Sequence, residues 1–336
     1  MNPLVSVIIV SWNGRKLLKR CLPSVCSQDY KNIEILVVDN GSIDGTIDFL
    51  MGNYPSVRIV RNGRNLGFAE ANNVGAREAK GELLLLLNND TIVEKDCFSQ
   101  LIDRMGHDPK LGICQPKIKF LDEPRRLDSM GSFPTYLGFL KHCGFGEIDL
   151  GQYDHIEEVF SPKGACVLIR KNIFFYVGGF DSDFFCYFEE TDLAWRIWLA
   201  GFKTVLVPKA VVLHEIGATS SGLNFSFIQY HSTKNRICTL IKNLSWKELL
   251  FILPINLWVT FSLSMICFML MRMTLGAATF KGILWNIKNL RKTLNKRRCT
   301  KNHICEKDSE DIFLKMLVSV PIKSFLNSVC WYLRKR

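Results

Sequence analysis

Several signatures are missing from this 336-residue chain, and each absence removes a class of protein. Its 12 cysteines include no CxxC pair, which argues against a zinc ribbon or a dithiol redox motif. The segment from Met1 to Val10 carries no basic n-region. Its apolar run stops at Ser11-Trp12-Asn13-Gly14, too short for the h-region of a signal peptide. It reads instead as a first strand, with the cysteines as small apolar fillers in a reducing cytosol. Residues 11–14 supply no Gly-rich triphosphate loop of the GxGTR kind, which argues against a nucleotidyltransferase. No QxxRW motif and no series of long apolar spans is present, as a processive polysaccharide synthase would need.

The composition is that of a folded globular chain, 48% apolar and 22% charged. Its length suits one large α/β domain plus an appendage. A net charge of +11 calls for an anionic partner. Most basic clusters fall in the last hundred residues, beside apolar segments and not among aromatic stacking platforms. That placement favours an anionic membrane surface over nucleic acid.

Over the first 120 residues, strand and helix patterns alternate. Val5–Val10, Ile33–Val38, Val57–Val60, Leu83–Leu87 and Ile113–Lys117 read as strands. Arg15–Ser27, Asp44–Met51, Phe68–Ala79 and Asp96–Gly106 read as helices between them. Strict alternation predicts a parallel sheet wrapped by helices, and the unbroken Leu83–Leu87 run suits a strand buried on both faces. Residues 121–160 show no clear period. The pattern resumes with a strand at Ala165–Ile169, helices at Lys171–Val177 and Glu189–Ala200, and a strand at Phe202–Val207.

In open α/β sheets, ligands bind beyond the carboxyl ends of the strands. Three informative segments follow strands: Asp39-Asn40-Gly41-Ser42, Arg61 to Gly67, and Asn88-Asn89-Asp90. Any one alone could be turn chemistry, but three on one rim point to a site. Asp39 could accept hydrogen bonds from a ligand, or could cap the next helix, a role that Asp44 suits better. Gly67 permits close backbone approach. The helix after it would offer N–H groups to an anionic or polar ligand, while Asn65 and Asn73 either touch that ligand or order the loop. Glu189 and Glu190 open a helix, where carboxylates gain from the macrodipole. Adjacent residues point apart, so only one of them would face a substrate. Asp192 and Arg196 are spaced to pair at i,i+4. Trp195 and Trp198 either line an acceptor face or pack in the core.

The segments VVDNGSIDGT (37–46), RNLGFAEANNVG (64–75), LLNND (86–90) and FEETDLAWRIWLAGF (188–202) resemble glycosyltransferase family 2. The rhamnosyltransferase-like branch is the nearest in pattern, YHSTKNR (230–236) included. The likeness covers roughly residues 4–240. It implies a GT-A fold, Rossmann-like and mostly parallel, over 1–240; outside the likeness, the apolar and basic segments of 241–336 read as a membrane-associating helical region. The likeness implies inverting transfer of one sugar from a nucleotide-sugar, the branch suggests rhamnose as that sugar, and the membrane-like tail suggests a lipid-linked or cell-envelope glycan as the acceptor. Carried onto this chain, it makes Asp39 and Asn89 donor-binding residues, with Asn65, Gly67 and Asn73 beside them, Asp90 a metal ligand and Glu190 the general base. Asn88 stands where a stricter DxD motif has a carboxylate, so the metal site loses one charge. The family places a metal-ligating histidine at the position of His214, and a histidine ligand shifts preference from Mg²⁺ towards Mn²⁺. A non-catalytic scaffold at the membrane is the competing reading.

Leu249–Met271 is charge-free and long enough to span a bilayer core of roughly 30 Å. Basic residues 291–298 follow, then a weaker apolar segment, Ile312–Leu333, and Arg334-Lys335-Arg336. A single crossing would put the basic stretch outside, against the positive-inside tendency. Interfacial or re-entrant docking at the cytoplasmic face of the cell membrane is therefore expected.

Overall fold

The computed structural model describes residues 2–218, 224–306 and 311–319. The described residues within Met1–Ser132 and His142–Gly222 form one compact unit, and those within Phe133–Lys141 and Leu223–Arg336 a second. The main division thus comes earlier than the residue 240 expected, a position that falls inside a helix.

The first unit begins as the alternation predicts. It runs β1 (Val5–Ser11), α1 (Arg15–Cys26), β2 (Ile33–Asp39), α2 (Thr46–Asn53), β3 (Arg58–Arg61), α3 (Gly67–Glu78) and β4 (Leu83–Asn88). A short β5 (Thr91–Val93), α4 (Cys97–His107), β6 (Leu111–Phe120) and β7 (Leu127–Ser129) follow. Strands β8 (Ser132–Pro134) and β9 (Leu140–His142) form a small hairpin, most of which belongs to the second unit. The first unit closes with β10 (Cys166–Arg170), α5 (Lys171–Tyr176), α6 (Glu189–Leu199) and β11 (Lys203–His214).

Its main sheet has the order β3-β2-β1-β4-β10-β6-β11-β5, with β7 on β6. Strands β3, β2, β1 and β4 are parallel. Strand β10 enters antiparallel between β4 and β6, and β5 runs antiparallel to β11. Leu18, Leu22 and Val25 of α1 and Phe98, Leu101 and Met105 of α4 are buried in one core with Val7, Ile9, Leu85 and Leu87. On the other face, α3 packs so closely that a Cβ on Gly75 would lie 2.5 Å from Ile8. Residues 121–160 have no period because turns carry them. Gly131, Gly138, Gly144, Gly146 and Gly151 all adopt positive φ there.

The rest of the second unit is helical: α7 (Phe225–Asn243), α8 (Trp246–Met269), α9 (Met273–Lys288), α10 (Leu290–Cys299) and α11 (Ile312–Lys315). Ser245 and Glu248 form a capping box at the start of α8. The polarity of α8 is inverted. Leu249, Ile252, Asn256, Thr260, Ser264 and Cys267 lie along its buried side. Leu250, Phe251, Trp258 and Met269 are 70–77% exposed on the other. The inner polar groups are used: Asn256 donates to the Leu137 carbonyl, Arg236 donates to Thr260, and Ser264 donates to the Gly276 carbonyl. The terminal basic trio at 334–336, and the apolar segment beyond residue 319, lie outside the described residues.

Candidate active site

Register places the three strand-end segments on one rim. Ser11 pairs with Asp39, Asp39 with Arg61, and Val10 with Asn88. Asp39 is 2% exposed. One carboxylate oxygen, Oδ2, accepts from the N–H groups of Gly41 and Ser42, each at 3.2 Å. The other, Oδ1, is buried with no hydrogen-bond partner among the described residues. A buried acceptor without a donor is costly, so this oxygen gains from any donor brought by a ligand. The start of α2 is served by Asp44, which accepts from the Thr46 N–H at 3.1 Å.

The loop before α3 is tied within itself. Asn65 Oδ1 accepts from Asn40 Nδ2 and from the Gly67 N–H, and Asn40 Oδ1 accepts from Asn62 and from the Leu66 N–H. A side chain on Gly67 would collide with Phe185, 2.6 Å from the position of a Cβ, at a φ of +81°. The Ala69 N–H donates to the Phe185 carbonyl. The helix N-terminus expected to greet a ligand is therefore partly satisfied by the protein. Asn73 is a second correction. Its Oδ1 accepts from the Phe180 N–H and its Nδ2 donates to the Phe180 carbonyl, both at 2.9 Å. The side chain staples α3 to the chain before α6 and has no amide face left for a donor. Asn89 is 3% exposed and gives a hydrogen bond to Ser11 Oγ at 3.2 Å.

Asp90 and His214 are far apart in sequence and adjacent in space. Because β5 follows Asp90 at once and pairs antiparallel with β11, Thr91 lies opposite His214. The His214 Nε2 is 3.4 Å from Asp90 Oδ1, and its Nδ1 is 2.7 Å from Asp128 Oδ2. Asp128 is fully buried and is also approached by Lys163 Nζ at 3.3 Å. Burial pushes the His214 imidazole towards neutrality, but Asp128 and Asp90 outweigh it and raise its pKa to about 9. Burial would raise Asp128 as well; His214 and Lys163 hold it below the usual carboxylate range instead.

Could this pair hold a divalent cation? Among the described residues no three His, Cys, Asp or Glu side chains converge in a complete ligand set. Asp90 and His214 supply one carboxylate oxygen and one imidazole nitrogen, and Asp128 orients the ring through its far nitrogen, the usual outer support for a ligating histidine. Two protein ligands suffice for a cation that takes its remaining oxygens from water and a diphosphate. The donor set fits such an ion.

Glu190 enters from the first turn of α6. Its side chain lies about a van der Waals distance from Gly164, with atoms 3.8 Å from where a Cβ would stand. Burial raises its pKa, with the Lys163 ammonium pulling the other way. Glu189 is 5% exposed, with Oε2 lacking a partner among the described residues. Burial and then the charge of Glu190 raise it further. Of the two, Glu190 keeps the greater exposure. Asp192 and Arg196 form the i,i+4 pair expected, at 2.8 Å, both buried. Trp195 and Trp198 are core residues, which corrects the acceptor-lining alternative. Trp195 stacks edge-on against Phe160, and Trp198 donates to the carbonyls of Val159 and Phe160.

Sequence reasoning missed Lys163 and Asp128. Asp128 lies in the aperiodic stretch. Lys163 precedes β10, and because β10 is antiparallel, the residues before it share the rim with those after β4. The Asn88 N–H donates to the Ala165 carbonyl there. Inspecting only residues after strands overlooks such a position. A strained turn also escaped notice: Phe185, Tyr187 and Phe188 all have positive φ just ahead of Glu189.

An α/β sheet with an acidic rim, a carboxylate–histidine pair and a helix-borne carboxylate suits a group-transfer enzyme acting on an anionic donor. Comparison with known proteins makes this particular. Residues 6–171 match the model of glycosyl transferase family 2. The chain is 26% identical over 268 residues to the N-acetylglucosaminyl-diphospho-decaprenol L-rhamnosyltransferase of Mycobacterium tuberculosis, covering 73% of this chain and 87% of that one. Among solved structures, GalNAc-T7 with UDP, GalNAc and Mn²⁺ superposes with a TM-score of 0.57 at 19% identity, over 73% of this chain and 48% of its own. The mannosyltransferase PcManGT of Pyrobaculum calidifontis, with GDP-Man and Mn²⁺, gives 0.55 at 16% identity, over 100% and 89%. Residues 6–171 thus carry a glycosyl transferase family 2 domain, and the chain has the fold of those glycosyltransferases and is a glycosyltransferase.

Proposed function

We propose that the protein is an inverting, divalent-cation-dependent transferase that moves one sugar, rhamnose in the reading its relative suggests, from a nucleotide-sugar to a hydroxyl of a lipid-linked or cell-envelope glycan. The observation that carries this is the continuous set Asp90, His214, Asp128, Lys163 and Glu190 on one rim. A cation held by Asp90 and His214 would neutralise the departing diphosphate. Asp39 accepts a donor hydrogen bond from the nucleoside at its unpartnered oxygen, and Asn65 and Gly67 keep the neighbouring loop in shape. Asp128 holds the His214 ring. Glu190, its pKa raised by burial, takes the proton of the acceptor hydroxyl as it attacks the anomeric carbon, and one displacement inverts the configuration. Asn89 supports the rim from Ser11.

The second unit supports a place at the membrane. Among the described residues one helix, Trp246–Met269, is long and apolar enough to cross a bilayer. Its buried side is lined by protein along its whole length, from Leu249 to Cys267. The helix α7, on which it packs, buries Lys234, Arg236 and Lys242. A crossing would carry those cations into hydrocarbon, so we place α8 flat in the interface with its apolar side in lipid and the basic residues of α10 on anionic headgroups. That puts the enzyme on the cytoplasmic face, where nucleotide-sugars are made, with no nucleic-acid partner.

The test is a screen of nucleotide-sugars for thermal stabilisation, with and without Mn²⁺, run beside Glu190→Gln. One donor should stabilise the protein in a Mn²⁺-dependent manner, and the variant should bind that donor without transferring its sugar. Transfer at the wild-type rate by the variant would remove Glu190 from its role. Donor hydrolysis absent in both proteins would favour a non-catalytic scaffold.

A further inference from the structure

Away from the rim, the helical unit has a groove of about 790 Å³ between α7 and α9. Phe227, Tyr230, Leu284 and Trp285 form its walls, with Lys281 and Lys288 at its edge. The lysines are seven residues apart, two turns along the same face of α9. Both are exposed, and neither has an acidic partner among the described residues. Beneath them the Lys234 ammonium lies 5.0 Å from the Trp285 ring centre and 5.7 Å from that of Tyr230. The groove thus has apolar walls and two lysines in its lining, with a third ammonium held against the Tyr230 and Trp285 rings. A free inorganic anion would leave the apolar walls unused, and a plain hydrocarbon would leave the lysines unused. The surface around it is apolar too: Met271 and Met273 at one end of α9, Ile287 and Leu290 at the other, are 42–77% exposed.

We propose that this groove binds one anionic phospholipid of the bilayer, its phosphate between Lys281 and Lys288 and an acyl chain along Phe227 and Leu284. This rests on the interfacial placement of α8 argued above. Such a site would make membrane attachment selective for anionic lipid at a defined stoichiometry, beyond the diffuse attraction of the basic helix α10.

The experiment uses the full-length protein and two readouts. Flotation on vesicles of pure phosphatidylcholine tests the apolar α8 surface. Titration with short-chain phosphatidylglycerol, followed by thermal shift and native mass spectrometry, tests the groove. Wild type should bind one phosphatidylglycerol, and Lys281→Ala/Lys288→Ala should weaken it by more than about tenfold. Ala277→Phe, which fills the groove without altering charge, should weaken it as well. Arg291→Ala/Arg298→Ala removes the same charge from α10 and should leave the titration unchanged. Equal weakening by both charge-removing pairs, or protection by inorganic phosphate alone, would overturn the groove. Lost flotation with retained phosphatidylglycerol binding would overturn the placement of α8 and spare the groove; the reverse would sink the groove alone.

Discussion

In the sheet unit, Asp128 and Asp192 are buried beside cations that meet them at 2.7–3.3 Å, and the core of that unit is built from apolar side chains. In the helical unit, Asn256, Thr260 and Ser264 are buried and the large apolar side chains of the same helix face outward. Both regions take polar groups out of water, and both give them partners. The purposes differ. Around the rim, burial sharpens charge: it raises Glu190 and lets two carboxylates dominate His214. Along α8, burial of neutral polar groups ties the helix to its neighbours by hydrogen bonds and releases the apolar side for another medium. An amphipathic helix in water does the opposite.

This contrast can be broken at specific side chains. The largest effect belongs to Glu190→Gln, which should lower turnover by about 10²–10⁴-fold with donor binding intact, measured by steady-state kinetics beside equilibrium titration. Because Glu190 acts only when ionised and burial raises its pKa, wild-type kcat/KM should climb with pH, with its inflection above the usual carboxylate range. A profile flat from about pH 5 to pH 8 would be evidence against it. Next is Asp192→Ala, which strips the carboxylate from a guanidinium that is 4% exposed. It should cost roughly 3–5 kcal/mol in urea unfolding.

A smaller change in function is expected from Asp128→Asn, about 10–100-fold in Mn²⁺ affinity or activity, followed by metal titration, with some loss of folding stability as well because the carboxylate meets two cations. Loss of stability without loss of metal affinity would reduce Asp128 to a packing role. The smallest effect on folding comes from Leu250→Asp with Trp258→Asp on the outward side of α8. Stability should stay within about 0.5 kcal/mol of wild type, while the protein moves from the membrane fraction to the soluble one. If the double variant unfolds instead, that side is an interior surface and the contrast between the two units fails.

Some of this was readable before any coordinates. Leu83–Leu87 had the unbroken apolar run of a central strand, and it sits between β1 and β10. Asp39 and Asp90 stood at or just beyond strand ends, and strand-end position is a local property. The charge-free run from Leu249 announced a helix for an apolar medium, because length and composition alone set that requirement. What periodicity could not reveal was pairing between distant segments. Asp128 reaches His214 across 86 positions of chain, from a stretch whose turns give no repeating pattern to read.

Local pattern therefore determined the alternation of strands and helices, the acidic residues at strand ends and the apolar run of α8, because each depends on neighbours a few positions away. Tertiary structure alone decided the rest. The antiparallel entry of β10 brought Lys163 to the rim, and the pairing of β5 with β11 set His214 against Asp90. Packing turned Asn73, Trp195 and Trp198 inward, away from the ligand roles open to them. The physical reason is the same in each case. A side chain's type limits what it can do, but its partners and its share of water are fixed by segments that only folding brings together.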